Sequence, residues 1–203
     1  MKRFIFIFFI SFISLSNGQE NTNGNNSQQS REMQFSFRQK IGFSTLKLDN
    51  FEPIEGNLVQ FDLMLSNSIA KKISLDYGLR ISSFRANFIK DGQQSGVKNI
   101  SFALPVGIIY VKDLNQNVSF IYGVHVYGSY LQSLEIGNFI DEEDLGINFG
   151  MDVQGGAVFK LNPKTDFAIL IDFQGDLNKI KKDNLRLMHS NTALVSFNFS
   201  YKL

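Results

Sequence analysis

The sequence contains no cysteine among its 203 residues. A disulfide framework, a lipid-modified cysteine, a cysteine-based metal site and a thiol nucleophile are therefore excluded. The spacings of a phosphate-binding loop, a nucleotide fingerprint and a zinc site are also absent from the chain. We therefore expect no cofactor and no bound metal.

The chain also lacks an excess of either charge. Without residues 1–18, which include Lys2 and Arg3, it has 185 residues with 18 basic and 19 acidic side chains, a formal net charge of −1. A nucleic-acid partner generally requires a basic surface, so this balance argues against one.

No apolar run is long enough to cross a bilayer as a helix. The run at 4–15 follows a basic start and precedes the small residues Ser16 and Gly18. This pattern predicts a secretory signal peptide over 1–18, with Sec-type export and cleavage after Gly18. Residues 19–32 are rich in Asn, Gln, Ser and Gly and predict a flexible periplasmic tail, so 33–203 is the expected folded domain.

Apolar and polar residues alternate along eight stretches, and the apolar positions carry no charge. Examples are Val59, Phe61, Leu63, Leu65 and Val195, Phe197, Phe199, Tyr201. A period of two indicates strands with two different faces. The predicted strands are 33–46, 57–66, 72–87, 98–111, 117–132, 144–160, 165–176 and 190–203. Because these eight strands follow an export signal, they predict an all-β fold: an eight-stranded antiparallel up-and-down transmembrane β-barrel.

The predicted connections alternate in length. Four are long, at 47–56, 88–97, 133–143 and 177–189, and three are short, at 67–71, 112–116 and 161–164. Bacterial outer-membrane barrels have short periplasmic turns and longer external loops. With both ends of the domain in the periplasm, the first, third, fifth and seventh connections of an eight-stranded barrel must face outward. These are the four long connections, so their position in the chain and their length lead to the same orientation.

The two predicted faces differ in a way that favours lipid over a soluble core. The polar face is mostly small and has no Glu; its members include Ser36, Gly42, Ser74, Gly78, Ser82, Ser101, Gly107, Ser119, Gly123 and Gly150. Small residues suit the crowded interior of an eight-stranded barrel. The apolar face has aromatic residues near the strand ends, typical of interfacial girdles: Phe35, Tyr110, Tyr130, Phe159, Phe167 and Tyr201. We expect the protein in the outer membrane of a Gram-negative bacterium.

Several local features belong together in one known family. They are a glycine-containing first strand at 35–43, the Leu104-Pro105 step, a glycine-rich sixth strand at 145–156, the 175–180 corner and the ending Phe199-Ser200-Tyr201-Lys202-Leu203. Over essentially all of 33–203 the chain resembles the PorT-type outer-membrane β-barrel domain family. Members typically end in Phe, whereas this chain ends in Leu203. The resemblance implies the barrel fold and insertion by the outer-membrane assembly machinery, and no motif transfers a role in secretion. Within strand four, Pro105 removes one ladder donor and predicts a bulge or a missing bond.

Equal numbers of opposite charges lie on the polar face. The cations are Arg38, Lys40, Arg80 and Lys202, and the anions are Asp62, Asp76, Asp152 and Asp172. Lone charges are costly inside a narrow barrel, whereas paired charges are tolerated. Arg38, Asp62 and Arg80 fall near mid-depth on three successive predicted strands and should interact. We interpret the eight residues as a lumen charge network that is either a plug or a gate or binding site.

Two histidines invite comparison with hydrolases. His125 lies on the polar face with Ser129 four residues on, and His189 precedes Ser190. Outer-membrane lipid A deacylases use a His-x-Ser spacing, which is absent here, and their chemistry faces lipid. The sequence therefore predicts no catalytic residues, and we expect that the protein is not an enzyme.

Two external connections carry opposite charges. The third is acidic, with Glu135, Asp141, Glu142, Glu143 and Asp144; the fourth is basic, with Lys179, Lys181, Lys182 and Arg186. They are either two solvated loops or an electrostatic loop–loop cover, and the acidic loop could instead bridge to lipopolysaccharide through a divalent cation.

The sequence favours a structural or interaction-type barrel with a plugged lumen. Its expected partners are outer-membrane lipid and lipopolysaccharide, the outer-membrane assembly machinery, and an unidentified protein at the external loops. Two alternatives stay open: a narrow porin-like channel for small solutes, and a lipid-modifying outer-membrane enzyme.

Overall fold

The computed structural model describes residues 33–49, 51–90, 93–137, 140–182 and 185–203, so the expected signal peptide and tail lie outside the described residues. Its strands are β1 (Met33–Leu48), β2 (Ile54–Ala70), β3 (Ile73–Lys90), β4 (Gln93–Asp113), β5 (Val118–Ile136), β6 (Ile140–Lys160), β7 (Thr165–Asp176), β8 (Ile180–Lys182) and β9 (Leu185–Lys202). No helix in this part of the chain is long and apolar enough to cross a membrane.

Eight of these strands close into a ring. Strands β1 to β7 pair antiparallel in chain order, β9 pairs with β7, and β9 also pairs with β1. From Met33, successive partners around the ring are Asn67, Leu75, Ile108, Val124, Val153, Phe173, Ala193 and finally Phe43. The circuit therefore returns to β1 ten residues further along, a stagger that goes with strands tilted by about 35–45°. The expected all-β, eight-stranded up-and-down barrel is confirmed.

The predicted bounds of the four long connections are wrong in large part, because strands occupy most of these residues. Strand β1 continues to Leu48 and β2 begins at Ile54, and β3 extends to Lys90 with β4 beginning at Gln93. Strand β5 reaches Ile136, and the fourth connection contains the short β8, which pairs with β9. We call this extended end of the barrel the loop end. The opposite end, with both ends of the domain and the short turns, is the turn end.

The two faces of the strands exchange character towards the loop end. In β1, Phe37 and Phe43 point outward and exposed, but beyond them Leu46 and Leu48 are buried inside while Lys47 is exposed outside. Strand β3 changes in the same way above Ile81: Phe84 and Ala86 are buried inside, while Arg85 is exposed outside. The predicted strands followed mainly the first phase of the alternation, so most of the inverted stretches were assigned to the predicted connections.

The inverted segments enclose an apolar interior at the loop end. We call this cluster the loop-side core: Leu46, Leu48, Ile54, Leu58, Phe84, Ala86, Val97, Leu131, Leu134, Ile136, Leu145, Ile180, Leu187 and Leu194. Ile180 of β8 and Leu187 of β9 belong to it, so the fourth connection covers the mouth of the barrel. A smaller turn-side core contains Ile109, Ile121, Ala168 and Leu170. Both ends of the lumen are therefore filled by apolar side chains.

Pro105 interrupts one ladder, as predicted. Between β3 and β4, partners stop at Tyr77 with Val106 and resume at Arg80 with Ala103, without a change of register. The ladder from Pro105 to β5 is continuous. Since proline has no N–H, the outcome is a local gap rather than a bulge.

Candidate functional site

Eight charged side chains from six strands form one chain of contacts in the lumen, and none is more than 3% exposed. In order of contact they are Arg38, Asp76, His125, Asp152, Arg80, Asp62, Lys40 and Asp172. We call them the lumen charge network, and basic and acidic groups alternate along it. Along β5, His125 lies between Ile121 of the turn-side core and Leu131 of the loop-side core. The network is therefore enclosed by apolar clusters at both ends.

Arg80 has the most contacts in the network. Its Nε and Nη2 atoms donate to the two oxygens of Asp62, at 2.9 and 3.0 Å. Nη2 also donates to Asp152 at 2.9 Å, and Nη1 donates to Gln174 at 3.1 Å. The guanidinium lies 5.5 Å from the centre of the Tyr127 ring. Because all three guanidinium nitrogens are used in a fixed fork, a lysine could not replace this arginine.

Lys40 connects Asp62 to Asp172 of β7, the last member of the network. Its Nζ atom lies 2.6 Å from Asp172 Oδ1 and 3.3 Å from Asp62 Oδ2. A compact ammonium between two carboxylates offsets the burial of both anions.

His125 joins the two halves of the network. Its Nε2 atom lies 2.9 Å from Asp76 Oδ2, and its Nδ1 atom lies 2.8 Å from Asp152 Oδ1. Ionised carboxylates only accept hydrogen bonds, so with Asp76 and Asp152 ionised both ring nitrogens donate, and the geometry assigns His125 as an imidazolium. Its charge gives the network four positive and four negative groups. Gly107 makes room for the ring, because a Cβ there would overlap it.

Asp76 collects two further donors. Arg38 Nη2 donates to Asp76 Oδ2 at 2.7 Å, and the Ser66 hydroxyl donates to Oδ1 at 2.6 Å. A buried carboxylate with donors on both oxygens is stabilised in its charged form.

The structure brings seven of the eight predicted lumen charges together. Lys202 is the exception: it lies at the turn end, 32% exposed and 3.9 Å from Asp166. The predicted contact between Arg38 and Asp62 is also absent as a direct pair, although these residues are opposite each other in register. The Arg38 side chain is long enough to reach Asp76 on β3, and Lys40 contacts Asp62 in its place.

His125 was missed as a network member, although the sequence carried a signal for it. It lies on the inward face of β5, directly opposite Asp152 of β6. An inward histidine opposite an inward aspartate predicts an ion pair once the register is known, and the sequence alone does not fix that register.

The second histidine belongs to a structural tie near the loop-side core. The Asn99 amide nitrogen donates to His189 Nε2 at 2.8 Å, so Nδ1 carries the hydrogen and donates to the Ser44 hydroxyl at 3.0 Å. Ser44 lies 2.7 Å from the Thr192 hydroxyl. A serine that accepts from its histidine is not activated as a nucleophile. These hydrogen bonds link β1, β4 and β9, and they do not activate Ser44 for hydrolysis.

The basic fourth connection binds the first connection. Lys179 Nζ lies 3.1 Å from Asp49 Oδ1, and Arg186 Nε lies 3.7 Å from Asp49 Oδ2. In the third connection, Glu135 lies 3.5 Å from Lys98 of β4. Within the described ranges, no group of three His, Cys, Asp or Glu side chains could hold a metal ion.

The fold and the lumen define an eight-stranded up-and-down barrel with a filled interior, and a solved structure shares that fold. No family model and no curated protein matches the sequence. Neisserial surface protein A aligns with a TM-score of 0.55 at 13% identity, over 83% of this chain and 97% of that chain. The outer membrane protease OmpT from Escherichia coli (0.49, 6%, 90% and 100%) and the outer membrane protein OprG from Pseudomonas aeruginosa (0.46, 12%, 83% and 96%) are also similar. At 13% identity, the likeness to Neisserial surface protein A shows the fold alone.

Coupling between Asp62 and Arg80 should be large. Asp62→Ala should lower the free energy of unfolding more than Asp62→Ala combined with Arg80→Met. The single change leaves the buried network with one positive charge in excess, even though Arg80 keeps Asp152 and Lys40 keeps Asp172, whereas the double change restores the balance. A double-mutant cycle by urea unfolding in detergent should give a coupling of about 1–3 kcal/mol. The pair Asp62 and Arg38, which share no direct contact, is the matched control and should couple less. Additive losses for Asp62 and Arg80 would contradict the network.

The chain has two histidines, and they should differ in protonation at neutral pH. His125 should carry hydrogens on both ring nitrogens, because each faces a carboxylate. His189 should carry one, on Nδ1, because Nε2 accepts from Asn99. Nitrogen-15 NMR of the imidazole rings, assigned with His125→Gln, distinguishes the two forms. A neutral His125 ring would show that the network is not balanced as described.

Proposed function

We propose that the chain is an outer-membrane β-barrel protein of a Gram-negative bacterium, with a plugged lumen and a structural or interaction role rather than a catalytic one. The observation that carries the proposal is a belt of exposed apolar side chains on every strand of the closed ring. One member from each strand, all at least 39% exposed, is Phe37, Phe61, Leu79, Leu104, Val126, Phe149, Ile171 and Phe197.

A belt of this kind suits lipid and not water. Soluble monomers rarely expose contiguous apolar patches larger than a few hundred Å². Ring closure also pairs every barrel strand with a neighbour on both sides, apart from the local gap between β3 and β4 at Pro105, and so leaves no free sheet edge in the lipid. Tyr110, Tyr122 and Tyr201 lie outward near the turn end, where their hydroxyls suit a headgroup layer.

The residues on the outward face also indicate where the apolar belt ends on the loop side. Above Phe43 and Ile81 it becomes polar, with Lys47 in β1 and Arg85 in β3 both exposed. The inward face becomes apolar over the same stretch. The proposed membrane boundary lies where both faces change.

The contents of the lumen favour a plug over a narrow channel. The lumen charge network lies between two apolar cores, and the cavity beside it, which touches Gln60, Arg80, Asn99, Tyr127 and Asn148, has a volume of only about 40 Å³. That volume holds about two or three water molecules. The network therefore supports a filled lumen in which no hydrated ion would have a continuous path.

Several finer points belong to the same proposal. The belt would contact outer-membrane lipid and lipopolysaccharide, the assembly machinery would recognise the outward row of β9, and an unidentified protein would bind at the loop end. Sec-type export is supported by the sequence at 1–18. Membership of the PorT-type family is supported by the Leu104-Pro105 step and the glycine-rich sixth strand.

The protein should fractionate with the outer membrane and show heat-modifiable migration on gels. Leu79→Arg, on the belt face of β3, should weaken folding into lipid by roughly 2–4 kcal/mol if the site lies at mid-depth. Asn87→Arg, outward on the same strand but above the belt, is the matched control and should have little effect. Recovery of the wild type as a soluble periplasmic monomer would contradict the proposal.

The wild type should conduct poorly in planar bilayers, because the network and both cores fill the lumen. Removing the charges of Asp62 and Arg80 together should increase the leak, because it opens space beside the existing cavity. A large steady conductance of the wild type would replace the plug with the channel alternative.

A further inference from the structure

The turn end carries far more positive than negative charge. In the described stretches 66–73, 110–119, 159–167 and 200–203 there are two acidic side chains, Asp113 and Asp166, and six lysines: Lys71, Lys72, Lys112, Lys160, Lys164 and Lys202. Like charges crowded on one rim repel each other unless an anion lies nearby.

Both aspartates already have partners. Asp113 accepts from the Ser119 hydroxyl at 2.7 Å and lies 3.2 Å from Lys160 Nζ. The Ser119 hydroxyl and the Lys160 ammonium hold the pKa of Asp113, in the short turn region, below its usual value. Asp166 accepts from Gln34 at 3.2 Å and lies 3.9 Å from Lys202.

Four lysines make no direct ion pair in the described part of the chain, although the charge of Lys72 is near enough to Asp113 to help lower the pKa of that carboxyl. They are Lys71, Lys72, Lys112 and Lys164, and all four are exposed. Lys112 follows Tyr110 on the outward row of β4, and Lys164 Nζ lies 5.8 Å from the centre of the Tyr201 ring. One of these ammonium groups therefore lies near a tyrosine ring, and a second lysine follows a tyrosine on the same outward row, both at the turn-end border of the apolar belt.

Backbone hydrogen bonds hold the turns together as a continuous rim. The Val111 N–H donates to Lys72 O at 2.9 Å, and the Lys160 N–H donates to Asn117 O at 2.9 Å. The Lys202 N–H donates to Lys164 O at 2.8 Å. The four lysines are thus carried on a fixed arc around the barrel, not on one flat patch.

We propose that the turn end binds anionic phospholipid headgroups of the periplasmic leaflet through Lys71, Lys72, Lys112 and Lys164. The inference rests on the proposed membrane-spanning role. Lysine stems lie along apolar surface while their ammonium groups reach the phosphate layer, and the neighbouring tyrosines mark that depth. An arc around the perimeter faces surrounding lipids, which distinguishes it from a docking patch for one acidic protein.

The loop end offers no equivalent excess. There, Lys98 is paired with Glu135, and Lys179 and Arg186 are paired with Asp49. The preference for anionic lipid should therefore depend on the turn end.

The test compares two lipid surfaces. The full chain is folded into vesicles of phosphatidylcholine alone and of equal parts phosphatidylcholine and phosphatidylglycerol, and the urea midpoint of unfolding is measured in each. Phosphatidylglycerol should raise the midpoint of the wild type, and high salt should abolish the increase because it screens exposed charges. The variant Lys71→Gln/Lys72→Gln/Lys112→Gln/Lys164→Gln should lose most of the increase while keeping the wild-type midpoint in phosphatidylcholine.

The matched control is Lys47→Gln/Arg85→Gln/Lys98→Gln/Lys181→Gln, which removes the same charge at the loop end, leaves the contact between Lys179 and Asp49 in place, and should keep the increase. An increase retained by the turn-end variant, or lost equally by the control, would overturn the proposal. The salt response of the wild type decides the question even if the turn-end variant fails to fold: a salt-insensitive midpoint would also overturn it. Failure of the wild type to enter either vesicle would instead refute the membrane role, and this inference with it.

Discussion

Alternation of charge along the lumen network is the constraint on which the interior of the barrel depends. Eight charged groups lie where water has almost no access, and each is stabilised by neighbours of the opposite sign. Removing one from the middle of the chain deprives two others of a partner, and an unpaired buried charge costs several kcal/mol. Arg80 is the most connected member, because its fork contacts Asp62 and Asp152 at once. The balance between the signs is complete only with His125 as an imidazolium.

Small residues give this network its space. Gly107 leaves room for the His125 ring between Asp76 and Asp152, and Gly150 leaves room for the ring of Tyr127, which lies against Arg80. Any side chain at either glycine would overlap those rings. A narrow barrel can hold large charged groups only if the facing positions are small, which explains the many Gly and Ser residues on the inward face.

The sequence was sufficient to predict the barrel and most of the site, for identifiable reasons. Alternation with period two fixes which face each residue occupies, so seven network members could be placed in the lumen. Parity does not fix depth along the barrel axis, which is why Lys202 was assigned to the network although it lies at the rim. Nor does it fix how far a flexible side chain reaches, so Arg38 was expected at Asp62 rather than Asp76. The loop-end strands were missed because their alternation continues with the faces exchanged, as at Lys47 and Leu48.

The exchange of faces at the loop end also affects how strongly the charges of the lumen network interact. Where the outside is apolar, the inside at the level of the network is polar and charged; where the outside turns polar, the inside is apolar and includes the fully buried Phe84 and Leu134. A packed apolar cluster above the network excludes water, and interactions between charges are stronger where the local dielectric is low. Lys179 and Arg186, which contact Asp49, are the chain neighbours of Ile180 and Leu187 in that cluster. The ion pairs of the lumen and the apolar core of the extension are therefore one system, in which the apolar core keeps the ion pairs dry.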